Sequence, residues 1–151
     1  MGQSLSKLYV HMVFHIKNPL IPIHAEIKDK VYAYMGSIIK DNDSIPILIN
    51  GVPDHVHILC VMSKNIALAK LLEEIKGQSS RWIKTLDPQY RFFAWQGGYA
   101  GFSISQCLKD NTIQYIKNQE EHHKKVDYKE EMIRFMNEYG MEYDDRFFWR
   151  D

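Results

Sequence analysis

Hydrophobic and polar positions change period several times along the chain. Leu8, Val10, Met12, Phe14 and Ile16 alternate with Tyr9, His11, Val13 and His15, a period of two that predicts a strand from Leu8 to Ile16. After the breaker NPLIP, the residues Ile27, Val31, Tyr34, Met35, Ile38 and Ile39 fall at helical spacing between His24 and Lys40, and the polar run DNDS ends that helix. Ile45 to Val52 and His55 to Met62 are both β-like and are separated by Pro53-Asp54, which predicts an antiparallel hairpin. A second helix follows from the three-and-four spacing of Leu68, Leu71, Leu72, Ile75, Ser79, Trp82, Ile83 and Leu86, long enough to cover one face of a sheet.

Beyond Leu86 the pattern loosens. FFAWQGGYAGFSIS, aromatic and rich in glycine, reads as a loop entering a short strand near Gly101 to Ile104. From about Leu108 to Lys125 good helix formers run without Gly or Pro, predicting a third helix. Asp127 is placed to cap a fourth, running to Tyr139 before Gly140. Strand, helix, hairpin, helix, strand, helix is an α+β order, with helices covering an antiparallel sheet, and it predicts one domain over residues 1–151.

Composition narrows the class. With 45% apolar and 25% charged residues the chain is globular, and its 19 basic residues balance 19 acidic ones, so no global positive field advertises nucleic acid. Cys60 and Cys107 fit no metal or disulfide framework, which favours a reducing compartment and predicts the cytoplasm. No apolar run approaches the roughly 18 residues needed to span a bilayer. Met1-Gly2 with Ser6 fits the short myristoylation pattern, a weak signal.

Two groupings carry chemistry. In the strand after Pro53-Asp54, side chains two apart share a face, so His55 and His57 stand side by side while Val56 and Ile58 turn away. Two imidazoles can pinch a divalent metal but need a third group. In QYIKNQEEHHKK, Tyr115 and Gln119 are four apart and share a helix face, and His122 continues the row. Either grouping alone has an ordinary structural explanation.

Together, DHVHIL, KGQSSRWI, FAWQGGYAGFSIS and YIKNQEEHH, in this order, resemble the single-tyrosine HUH transposases of insertion sequences and their relatives, the REP-associated tyrosine transposases. HUH stands for histidine, hydrophobic, histidine, matched by His55, Val56 and His57. The resemblance implies a ferredoxin-like HUH endonuclease fold, with His55, His57 and Gln119 as ligands of a divalent metal, Mg²⁺ or Mn²⁺, and Tyr115 as nucleophile. It further implies cleavage and rejoining of single-stranded DNA, with hairpin ends, through a 5′-phosphotyrosine bond. Two ends need two nucleophiles, so a homodimer is expected, and the resemblance implies that its active sites are composite, with His57 of one subunit facing Tyr115 of the other.

Phe92, Phe93, Trp95 and Tyr99 are candidates to stack on unpaired bases, and Lys76, Arg81, Lys84, Lys124 and Lys125 to contact phosphates. Three rivals stay open on the residues alone: a histidine-triad nucleotide hydrolase, which lacks a third alternating histidine because Leu59 stands there; a non-catalytic nucleic-acid-binding module; and a domesticated REP-associated protein.

Overall fold

The computed structural model describes residues 2–149, so Met1 of the acylation pattern and the last two residues of the predicted domain lie outside the described residues. Four strands, β1 (Leu8–His15), β2 (Ile45–Val52), β3 (His55–Met62) and β4 (Ala100–Ile104), form one sheet in the order β2-β3-β1-β4. Every neighbouring pair is antiparallel. The predicted hairpin is present with its turn at Pro53-Asp54, and the segment after β1 pins that turn, because the Ile16 and Ile23 amides donate to the Asp54 and Pro53 carbonyls at 2.9 Å each.

The strand period divides the sheet into two unlike faces. Met12 and Phe14 of β1 and Val56, Ile58 and Cys60 of β3 form the apolar face. Helices α1 (Ala25–Asp41) and α2 (Leu68–Ile83) lie over it, burying Val31, Met35, Ile38 and Ile39 from one and Leu71, Leu72, Ile75 and Ile83 from the other. At roughly 1.5–3 kcal/mol for each fully buried large aliphatic side chain, this layer is the main apolar contribution to stability.

The opposite face is mostly polar and aromatic, and the register assembles it. Val13 pairs with His57, His15 with His55 and His11 with Leu59, so four histidines, a valine and a leucine of two strands crowd one side. Helices α3 (Lys109–Lys117), α4 (Gln119–His122) and α5 (Tyr128–Glu138) cover this side. Ile116 packs with Tyr9 and Leu59, and Met132 and Met136 pack with Val13, Ala100 and Phe102.

The covering helices depart from the predicted pattern at one point and follow it at another. The expected single helix from Leu108 to Lys125 is interrupted at Asn118, because the Asn50 amide of β2 donates to the Ile116 carbonyl at 2.8 Å and the Lys117 carbonyl at 3.4 Å. Those carbonyls are among the last that a helix leaves without an internal partner, so a side chain from the sheet satisfies them and stops α3. Helix α5 follows its predicted signals: the Asp127 carboxylate accepts from the Glu130 amide at 2.8 Å, and Gly140 adopts φ +63° where the helix stops. The Met141 amide then reaches back to the Met136 carbonyl at 2.8 Å, a six-to-one closure.

Gly51 sits where the hairpin backbones come closest. A Cβ there would lie 2.3 Å from the His55 carbonyl oxygen and 2.9 Å from the Val56 Cα. Gly51→Ala is therefore expected to destabilise the chain by about 1–3 kcal/mol, as overpacking does, and to displace His55. Chemical denaturation measures it, and a loss under about 0.5 kcal/mol, within the range of ordinary surface substitutions, would show that the hairpin can relax freely.

Candidate active site

Both histidines of the hairpin are buried, His55 at 2% and His57 at 0% exposure. The turn orients the first: the Asp54 carboxylate pairs with His55 Nδ1 at 2.6 Å. Burial pushes the His55 pKa down, but the hydrogen bonds to Asp54 and Glu131 outweigh it and raise the group above its ordinary value. His57 goes the other way. Its Nδ1 meets His11 Nε2 of β1 at 2.8 Å, and complete burial lowers it to about 4, so His57 is neutral near pH 7. A neutral imidazole fixed through one ring nitrogen presents the other as an oriented donor or ligand.

The other nitrogens converge on a carboxylate. Glu131 of α5 is 1% exposed, and its Oε1 lies 2.9 Å from His57 Nε2, 3.2 Å from His55 Nε2 and 3.1 Å from His123 Nε2. Burial alone would push Glu131 up, yet the hydrogen bonds with His123, His55 and His57 hold it well below the carboxylate range, so it is ionised. No motif marks Glu131. The helical phase does: Tyr128, Met132, Phe135 and Met136 define the inward stripe of α5, and Glu131 falls inside it whereas Glu130 falls outside. His11 likewise belongs to the site without belonging to a motif, while Asp54 and His123 lie inside DHVHIL and YIKNQEEHH, where the resemblance assigns them no role.

Helices α3 and α4 bring the remaining residues. The Tyr115 hydroxyl donates to Glu131 Oε2, lies 3.3 Å from His122 Nε2, and its ring centroid is 5.8 Å from that of His57 in the same chain. Burial and then the Glu131 charge raise the Tyr115 pKa above the ordinary phenol value. Gln119 is fully buried; its Nε2 faces the Tyr115 carbonyl and Glu131 Oε2, each at 3.4 Å, while its Oε1 has no hydrogen-bond partner among the described residues. An unpaired buried acceptor is rare and calls for a donor or a cation.

These residues fit a divalent ion. His55, His57, His123 and Glu131 each offer a ligand atom, all within 4.8 Å of one another, and buried Gln119 reaches the same carboxylate, its Nε2 lying 3.4 Å from Glu131 Oε2. Imidazole nitrogens with amide and carboxylate oxygens form a mixed donor set that suits first-row divalent metals. Cavities flank the site. One of about 170 Å³ is lined by Tyr115, His122, Glu131 and Arg134, and one of about 570 Å³ by Asp54, Glu120, His123, Lys124 and Tyr128.

The expected nucleic-acid contacts fare unevenly. Trp95 is 6% exposed, packs edge-on against Phe14 and Phe93 and donates from Nε1 to Ser79 Oγ at 2.9 Å, so it is a core residue and offers bases no face. Phe93 is buried with it, whereas Phe92 is 70% exposed and Tyr99 half-buried. Lys76 holds the glycine loop, donating to the Gly97 and Gly98 carbonyls at 3.2 and 2.8 Å. Arg81, Lys84, Lys124 and Lys125 are exposed, with Lys84 donating to Ser80 and Lys124 paired with Glu121.

An antiparallel sheet with helices, carrying a His-hydrophobic-His strand beside a helix-borne tyrosine, is the HUH fold of tyrosine transposases. The chain belongs to the family of IS200-like transposases, which matches residues 4–119, and this makes DNA transposition its class of activity. It is similar to the ISDra2 transposase TnpA of Deinococcus radiodurans, 24% identical over 118 residues that cover 75% of this chain and 84% of that protein. A transposase structure from Deinococcus radiodurans R1 shares the fold with a TM-score of 0.61, at 22% identity, over 79% of this chain and 96% of that one. A REP-associated tyrosine transposase bound to a REP hairpin shares it with a TM-score of 0.58, at 12% identity, over 83% of this chain and 76% of that one.

The buried neutral histidine has a consequence for acid stability. A histidine whose folded pKa is about 4 against an unfolded value near 6.5 contributes stability that is present above pH 6.5 and lost as pH falls towards 4. The metal-free chain should therefore weaken steadily over that window in denaturant titrations, and His57→Gln should flatten the slope. A slope that His57→Gln leaves unchanged would show that His57 is not held neutral.

Proposed function

We propose that this transposase cleaves and rejoins single-stranded DNA through a covalent 5′-phosphotyrosine at Tyr115, with a divalent ion, Mg²⁺ or Mn²⁺, held by His55, His57 and Gln119. The observation that carries the reading is the meeting of the Tyr115 hydroxyl, the two β3 imidazoles and the buried Gln119 amide at the Glu131 carboxylate. When bound, the ion supplies positive charge to draw electron density from the scissile phosphate.

The chain's own groups do the rest. The Tyr115 oxygen forms the bond to phosphorus while the bond to the 3′ oxygen breaks, leaving a free 3′-hydroxyl after that oxygen takes up a proton. The phenol proton is directed at Glu131 Oε2, and His122 Nε2 lies 3.3 Å from the same hydroxyl oxygen as a second group able to take it. Neutral His57, anchored through His11, stays available as a ligand near pH 7. Because the new phosphodiester is about as energetic as the old, the 3′-hydroxyl of another strand can attack it and reseal without ATP.

Arg81, Lys84, Lys124 and Lys125 supply phosphate contacts from exposed positions, and Phe92 and Tyr99 take over the stacking role that buried Trp95 cannot perform. A DNA hairpin is the proposed recognition element, in line with the hairpin bound by the REP-associated neighbour. We further take the chain to act as one domain in the cytoplasm. Among the described residues no helix is long and apolar enough to cross a membrane.

Cutting two ends requires two tyrosines, and the proposed acting form is a homodimer. Its sites are composite if α3 crosses to the other subunit and self-contained if Tyr115 stays beside its own His57, where this chain places it. A mixture of Tyr115→Phe and His57→Ala chains, with subunit exchange verified, forms covalent adduct only if the sites are composite.

Tyr115→Phe should abolish the covalent adduct with hairpin-flanked single strands and leave DNA affinity nearly unchanged, since only the nucleophilic oxygen is lost. Residual adduct would place the nucleophile elsewhere. His57→Ala should weaken Mn²⁺ binding by at least about tenfold in calorimetry, and unchanged binding would refute the ligand assignment.

A further inference from the structure

We propose that Glu131 is an additional ligand of the divalent ion, a carboxylate that α5 delivers from beyond residues 4–119; the inference rests on the metal reading above. Three imidazole nitrogens, from two positions on β3 and from His123 just after α4, lie 2.9–3.2 Å from the single oxygen Oε1. Side chains from separate elements that point at one spot are arranged as ligands are around a centre.

Charge points the same way. Glu131 is 1% exposed, and among the described residues its ion-pair partners are His55, His57, His122 and His123. A buried carboxylate needs positive charge nearby. Imidazoles provide it only by carrying protons on the nitrogens that ligation would use, whereas a divalent ion provides it and leaves those nitrogens free to bind. The Gln119 amide gives an independent sign: its Nε2 lies 3.4 Å from Glu131 Oε2, and its buried Oε1 meets no hydrogen-bond donor among the described residues.

The added carboxylate changes what the site binds. His55, His57 and Gln119 form a neutral set, and with Glu131 the set carries one negative charge and a hard oxygen, which favours Mn²⁺ and Mg²⁺ over softer ions. It also ties the nucleophile to the ion, since the Tyr115 hydroxyl donates to the other Glu131 oxygen. Glu131 thus acts towards Tyr115 as a positioning residue.

The test uses the full chain stripped of metal and titrated with Mn²⁺ and Zn²⁺ by calorimetry, with melting curves to verify folding. Glu131→Gln, nearly the same shape without the charge, should weaken Mn²⁺ at least about tenfold. Glu131→His, which substitutes a nitrogen donor, should recover binding with the preference moved towards Zn²⁺ by about tenfold relative to the parent chain. A residue that only accepted hydrogen bonds would not move that preference. If Glu131→Gln binds Mn²⁺ as the parent does while His57→Ala has lost it, Glu131 is not a ligand and the metal reading stands. If the parent chain itself binds no Mn²⁺, the metal reading fails and this inference with it. A structure of the parent chain with Mn²⁺ decides independently of how the variants fold: a Glu131 oxygen within about 2.0–2.6 Å of the ion supports the assignment, and one beyond that range overturns it.

Discussion

A carboxylate taken out of water must find compensating charge and hydrogen bonds, and in this chain that demand falls on Glu131. Its answer organises the whole polar side of the sheet. His55, His57 and His123 meet one oxygen, while Tyr115 and Gln119 meet the other. Those side chains come from two distant stretches of the chain, so the two hairpin histidines, the interrupted α3–α4 run and α5 are held in register by one group. Removing a single partner would strand the rest, and such networks are costly to leave half satisfied.

The sheet makes this possible by keeping its two faces apart. Strand alternation sends Val56, Ile58, Met12 and Phe14 into an aliphatic layer beneath α1 and α2, and it sends His11, His55 and His57 to the other side. A one-residue slip of β3 would exchange the two sets and place imidazoles in the apolar core. The close backbone approach at Gly51 and the pinned Pro53-Asp54 turn oppose such a slip. The rigidity of the apolar face therefore serves the geometry of the polar one, where small displacements of a nucleophile matter most.

What could be read from the sequence follows the range of the interactions involved. His55 and His57 share a face because of strand period alone, and Tyr115 and Gln119 come together because of spacing along the chain, so local pattern is sufficient to juxtapose them. The break at Asn118 is different, since the amide that causes it sits on Asn50, 66 residues away from Ile116, and no window around α3 contains it. Trp95 was ambiguous for the same reason: a glycine-rich aromatic loop looks exposed until Ser79 and Phe14 are known to enclose the ring. Glu131 lies between these cases. The stripe of Tyr128, Met132, Phe135 and Met136 turns it inward, but only strand pairing reveals the imidazoles waiting there.

The account comes down to one covalent bond between a particular oxygen and DNA. Peptide mapping by mass spectrometry, after the chain has been incubated with Mn²⁺ and a hairpin-flanked single strand, locates that bond directly. The account predicts a nucleotide attached through its 5′ phosphate to the peptide that contains Tyr115. Attachment to any other residue, or strands cut with no protein-linked product, would contradict it.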